Sequence, residues 1–200
     1  MTLIDAPRLD DFHIAFFDNI NFDTPRLYQF ISRTPRFMAR DKARVQFDKR
    51  SASVALLDGS RILEIEISCW DPTSQLLDIA KVCSFLPPVS TVEVLYIEYY
   101  YSDLDSGRED DAIEDALWFN LLLPFSAVKT LHLSRELAPD IAAALRELPE
   151  VRTTEVLPRL EDISVEELEP SGPLQKDIGQ FVAARSLSDH PITISVWDKR

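Results

Sequence analysis

The sequence predicts a single α/β domain over residues 1–200. It is a solenoid with a parallel sheet on its concave face, helices outside and one inserted β-hairpin. A recurring phrase carries this expectation. Val92-x-x-Leu95-x-Ile97 returns as Val128-x-x-Leu131-x-Leu133 and as Leu160-x-x-Ile163-x-Val165, and near the N-terminus as Leu9-x-x-Phe12-x-Ile14. The stretches between the later copies have helical periodicity. Those copies begin 36 and 32 residues apart. One strand and one helix cannot bury both of their apolar stripes, but stacked copies share a continuous core.

Each element has its own local cause. Leu9–Phe17 alternates through Phe12-His13-Ile14, the period of a half-buried strand. Asp23-Thr24-Pro25 opens a helix, with Leu27, Phe30 and Ile31 on one face and Thr34-Pro35 closing it. Ala43, Val45 and Phe47 alternate again. Two extended stretches, Ser53–Leu57 and Arg61–Ser68, flank Asp58-Gly59-Ser60. They read as a β-hairpin inserted at about 51–68. Asp71-Pro72 starts a helix that Pro87-Pro88 ends. Strand Val92–Tyr99, helix Ala112–Leu123, strand Val128–Leu133, a helix opened by Ala138-Pro139, strand Leu160–Val165, helix Pro173–Arg185 and strand Ile192–Val196 complete the chain. Phe12, Val45, Leu95, Leu131, Ile163 and Ile192 then mark six units. The longest interval contains the hairpin.

Units of about 30 residues fall in the upper range of leucine-rich repeats. In that geometry the residue between two buried apolar residues points into the concavity. These are His13, Gln46, Tyr96, His132, Ser164 and Thr193, with Asp11, Asp48, Glu98, Asp162 and Glu166 beside them on the same face. The candidate partner-binding set is His13, Gln46, Tyr96, Glu98, His132, Ser164 and Glu166, a mixture of aromatic and polar side chains suited to protein recognition. Tyr99-Tyr100-Tyr101 at a strand end is either a second contact point or a cover for the core edge. Trp118 reads as core, and Trp70 and Trp197 as half-buried.

Composition removes other classes. A net charge of −13 disfavours nucleic acid and anionic lipid as partners. The longest apolar run, Leu121-Leu122-Leu123, is far too short to cross a membrane. Four Gly against 13 Pro leave no Gly-rich phosphate cradle. Met1–Asp5 lacks a signal-peptide pattern, and Cys69 and Cys83 form no disulfide framework. A cytoplasmic or nuclear location follows. His13, His132 and His190 fall in no hydrolase or zinc pattern. No catalytic residue, metal or cofactor is expected. The acidic run Glu109-Asp110-Asp111 lacks EF-hand spacing and reads as a solvated helix start. Arg33, Arg36, Arg40, Lys42 and Arg44 read as a basic, solvated loop.

Several segments carry a family resemblance: Ala6-Pro7-Arg8-Leu9-Asp10-Asp11-Phe12, Phe30-Ile31-Ser32-Arg33-Thr34-Pro35, Leu121-Leu122-Leu123-Pro124-Phe125 and Gly179-Gln180-Phe181-Val182-Ala183-Ala184-Arg185. Together they resemble the leucine-rich-repeat region of basidiomycete fungal F-box-like proteins, over essentially the whole chain. The resemblance implies a non-enzymatic protein-protein interaction module, like the substrate-recognition repeats of an F-box-type ubiquitin-ligase receptor. Two departures stand out. No F-box pattern precedes the first strand, so adaptor docking does not carry over. The asparagine usual after the Leu-x-Leu step is replaced by Glu98-Tyr99-Tyr100 in one copy and by Ser134-Arg135-Glu136 in another. The alternative is a small α/β ligand-binding protein or enzyme of the doubly wound type, which the scarcity of Gly-rich strand ends disfavours.

Overall fold

A computed structural model describes residues 11–17, 24–34, 37–38, 40–59, 61–100, 114–148, 154–168, 172–187 and 190–197. Its strands are β1 (Asp11–Phe17), β2 (Lys42–Phe47), β3 (Ser51–Asp58), β4 (Arg61–Ser68), β5 (Val94–Tyr99), β6 (Thr130–Leu133), β7 (Asp162–Glu166) and β8 (Thr193–Trp197). Its helices are α1 (Thr24–Ser32), α2 (Pro72–Phe85), α3 (Asp115–Leu122), α4 (Ala138–Glu147) and α5 (Pro173–Leu187). A short 3-10 turn at Pro87–Thr91 follows α2.

All eight strands form one open sheet in the order β1-β4-β3-β2-β5-β6-β7-β8. From β2 through β8 the crossover strands lie side by side in chain order and parallel, as the recurring phrase predicts. Its apolar residues Val92, Leu95, Ile97, Val128, Leu131, Leu133, Leu160, Ile163 and Val165 are all buried. The first residue of each phrase packs just ahead of its strand. The next turn is tied to the preceding rung: Val94 N–H donates to Asp41, Thr130 N–H to Glu93 and Asp162 N–H to Lys129.

The hairpin falls where the sequence places it, but it lies inside the sheet. β3 pairs antiparallel with both β2 and β4, and β1 pairs parallel with β4. The first rung is therefore not a neighbour of the second, which corrects the six-unit ladder. The physical reason is visible in Leu63-Glu64-Ile65-Glu66-Ile67. Its Leu and Ile residues are buried and its Glu residues face away, so β4 has the pattern of an internal strand of this same sheet. Asp58 pairs with Arg61, leaving a two-residue connection that begins at Gly59 with φ +60°, a backbone conformation that costs glycine little.

Helix α2 begins where Asp71 accepts a hydrogen bond from Ser74 N–H at 2.7 Å. Hydrogen bonding from Ser74 holds the Asp71 carboxyl below its usual range. Buried Gln75 donates to the carbonyls of Asp48 at 3.0 Å and Cys69 at 2.6 Å, fixing the helix to the strand ends. Consecutive helices α2, α3, α4 and α5 pack on one another. Their buried side chains join the inward strand residues in one core. The helices thus form one layer on one face of the sheet. A doubly wound fold needs helices on both faces of its sheet, whereas the described helices share one core with the inward strand residues, although the strand order does reverse between β2 and β5. Cys83 lies in the core, and burial pushes its thiol far up.

The ends of β5 and β6 are joined through a serine. Ser134, fully buried, follows Leu133. Its hydroxyl accepts from Tyr99 N–H at 3.1 Å, and its own N–H donates to Ile97 at 3.0 Å. These bonds tie β6 to β5 at the point where both strands end.

Candidate functional site

The face opposite the helix layer carries the alternate residues of every strand. Register fixes its rows. Arg44 on β2 lies level with Tyr96, then His132, Ser164 and Ser195 follow across β6, β7 and β8. The neighbouring row carries Gln46 opposite Glu98 and, further along, Glu166 opposite Trp197. On the other side Asp162 lies level with Thr193.

Tyr96, His132 and Trp197 form a half-buried aromatic cluster. The Tyr96 and His132 rings stack at 4.5 Å and 9°. Trp197 leans on both, with centroids 5.7 Å from Tyr96 and 5.2 Å from His132. On the opposite side of Tyr96's row, the Arg44 guanidinium is 6.0 Å from the Tyr96 ring centre, and its Nε is 3.7 Å from the Glu98 carboxylate. Glu98 is only 3% exposed, whereas Arg44 is exposed, so a buried carboxylate meets a solvent-facing guanidinium. Beyond His132, Asp162 accepts hydrogen bonds from the hydroxyls of Thr193, Ser195 and Ser164. The Ser164 and Ser195 hydroxyl oxygens also lie 2.6 Å apart; each carries one proton, so when one donates to the other only the second is left to donate to Asp162.

These hydroxyls bond to the carboxylate directly, and His132 makes no hydrogen bond to them. The arrangement therefore lacks the relay of a Ser-His-acid triad. The buried Nδ1 of His132 has no hydrogen-bond partner among the described residues. Burial pulls the imidazole below its ordinary value, opposed by the charges of Asp162 and Glu98. The folded state thus favours the neutral ring. Its stabilising contribution is present above the unfolded value of about 6.5 and is lost as pH falls toward the lower folded value. Between pH ~7.5 and ~5 the melting temperature of the wild type should fall more than that of His132→Phe, which keeps the stack but cannot titrate. Equal slopes would remove His132 as the cause.

The structure unites Tyr96, Glu98, His132 and Ser164 of the predicted set, with Gln46 and Glu166 at the margin. It separates His13, which lies on β1 at the far edge, 3.2 Å from Glu66. Two levels shift by two residues. Arg44, not Gln46, shares the Tyr96 level, and Ser195, not Thr193, shares that of Ser164. The corresponding inward residues are Ala43 and Ile194, not Val45 and Ile192. A slip of two preserves the face, so alternation alone does not reveal it. Asp48 is not on the face. It caps the β2–β3 turn, accepting from Arg50 N–H and from the Ser51 N–H and hydroxyl.

The basic group disperses. Arg40 is buried and donates to the Arg61 carbonyl, Arg44 joins the Tyr96 site, and Lys42 is exposed; Arg36 lies outside the described residues. Of the tyrosine run, Tyr99 packs on the core and Tyr100 is exposed. Tyr101 and the acidic run at 109–111 lie outside the described residues. Trp118 is core, whereas Trp70 is exposed beneath the Arg50 guanidinium. Among the described residues no group of three His, Cys, Asp or Glu side chains is placed to hold a metal, and no helix is long and apolar enough to cross a membrane.

Compared with protein-family models, curated proteins and solved structures, the chain matches none. Its class is that of a mixed α/β domain with one mostly parallel eight-stranded open sheet and a single helix layer.

Proposed function

We propose that the chain is a protein-protein interaction module, a leucine-rich-repeat-like solenoid whose helix-free sheet face recognises a protein partner. The family resemblance adds the role of substrate-recognition repeats in an F-box-type ubiquitin-ligase receptor. One observation carries the reading: Tyr96, His132 and Trp197 cluster on the face of the sheet that contributes nothing to the core. Aromatic side chains that combine a large apolar surface with a polar tip are the residue types enriched at interface centres.

The test is affinity capture from lysate, followed by purification of the captured protein and direct binding. Tyr96→Ala/His132→Ala should weaken binding by tenfold or more, about 1.4 kcal/mol or above. Asp78→Asn/Glu147→Gln, on the helix layer, should leave it unchanged. Unaltered binding by the sheet-face variant would end the assignment of this face.

A further inference from the structure

We propose that β8 pairs antiparallel with β8 of a second copy of this chain, joining the two sheets about a two-fold axis at Ser195. The direction of the backbone groups supplies the first argument. Thr193 N–H donates to the Glu161 carbonyl at 2.9 Å. Parallel pairing then turns the backbone groups of Thr193 and Ser195 toward β7. Those of Ile194 and Val196 point the other way, along a border where no further strand pairs among the described residues. Such an edge is a template for another strand. The side chains point to the same border. Val196 is level with buried Val165, yet it is 63% exposed because the sheet stops there. Ile194, level with buried Ile163, is half-buried. Natural edges are protected by charge, proline or a bulge; Thr193–Trp197 contains none of these. At the opposite border β1 begins with exposed Asp11 and carries His13 against Glu66.

A second copy of the same strand is the occupant that this edge matches. Antiparallel pairing centred on Ser195 sets Ile194 opposite Val196 of the other copy, and Val196 opposite its Ile194. Both members of each pair aim their backbone groups at the junction, so each pair exchanges both of its hydrogen bonds. A register shifted by one residue would set outward groups against inward ones. The two-fold axis keeps both helix layers on one side, so the apolar side chains of Ile194 and Val196 meet their counterparts. A chain of net charge −13 repels its copy, and a junction built from an uncharged strand adds no carboxylate to that repulsion. Two-fold closure also ends the assembly at two copies, whereas β8 against β1 would continue as an open filament. The helix-free faces of both copies become one continuous surface, whatever that surface binds.

Sedimentation velocity of the full chain is the test. At about 100 µM the wild type should contain a species of twice the chain mass. Raising salt from ~50 to ~500 mM should increase its fraction by screening the repulsion. Val196→Pro removes an outward N–H without touching the β7 ladder, and Val196→Lys places a charge at the junction. Each should weaken dimerisation at least tenfold while the far-UV circular dichroism stays that of the wild type. Disulfide trapping in a Cys69→Ser background reads the register, since Cys83 is buried. Ser195→Cys meets its own counterpart across the axis at about 4.5 Å between Cα atoms and should cross-link. Val196→Cys is displaced along the strand from its counterpart and should not. A monomer at that concentration, a dimer indifferent to both Val196 variants or weakened by salt, an assembly larger than a dimer, or cross-linking through Val196→Cys in place of Ser195→Cys overturns the proposal.

Discussion

Trp118→Ala should destabilise the protein by about 3–5 kcal/mol, the cost of emptying a large aromatic site in a packed core. Trp118 is 1% exposed and meets Phe47 edge to face at 5.9 Å. It therefore joins α3 to β2 across the layer boundary. Its indole N–H is buried with no hydrogen-bond partner among the described residues, which is itself unfavourable. Trp118→Phe should consequently cost much less, on the order of 1–2 kcal/mol, because it relieves an unpaired donor while leaving a smaller void. Urea unfolding of the two variants is the measurement. A Phe variant as unstable as the Ala variant would show that the indole makes a contact beyond packing.

Arg185→Ala should rank next, at about 3 kcal/mol. Arg185 is fully buried on α5 and donates to the carbonyls of Leu157 at 3.3 Å and Pro158 at 3.1 Å. Leu157 has φ +49°, a left-handed backbone that a branched residue adopts only when its surroundings impose it. The guanidinium holds this turn ahead of β7 and lies 6.0 Å from the centre of the Phe181 ring. Burial lowers its proton affinity, yet a guanidinium stays charged. Arg185→Met, which keeps volume and removes the donors, should lose about 2 kcal/mol and so separate cavity from hydrogen bonding. A Met variant as stable as wild type would show that the two carbonyls do not need the charge.

The regular part of the architecture was legible because its cause is local. Period-two alternation, proline punctuation and Gly59 give strands, helix ends and the hairpin without tertiary knowledge. What was not legible depends on partners distant in sequence. Nothing local to 51–68 says whether a hairpin joins a sheet or projects from it. The Leu-Glu-Ile-Glu-Ile pattern of β4 was the available signal. The two-residue shifts at β2 and β8 concealed Arg44 and Ser195, although Tyr96, Glu98, His132 and Ser164 were found from the repeat alone. Trp197 was visible as a strand-end aromatic, but its contact with His132 requires the β6-β7-β8 register. Gln75, Ser134 and Arg185 are polar residues buried by bonds to other segments, and a single sequence gives no sign of such bonds.

The antiparallel trio β2-β3-β4 is continuous in the chain, whereas every other pairing must wait for a helix-bearing excursion. Short loops close at lower entropic cost, so residues 42–68 form the natural seed on which the later strands and then β1 are laid. Pulsed hydrogen exchange during refolding should protect the amides of Val54 and Ile65 before that of Ser195, whose N–H faces β7; the reverse order would place the seed at the opposite border. The inserted hairpin would then serve as a starting template for the parallel ladder rather than as an interruption of it.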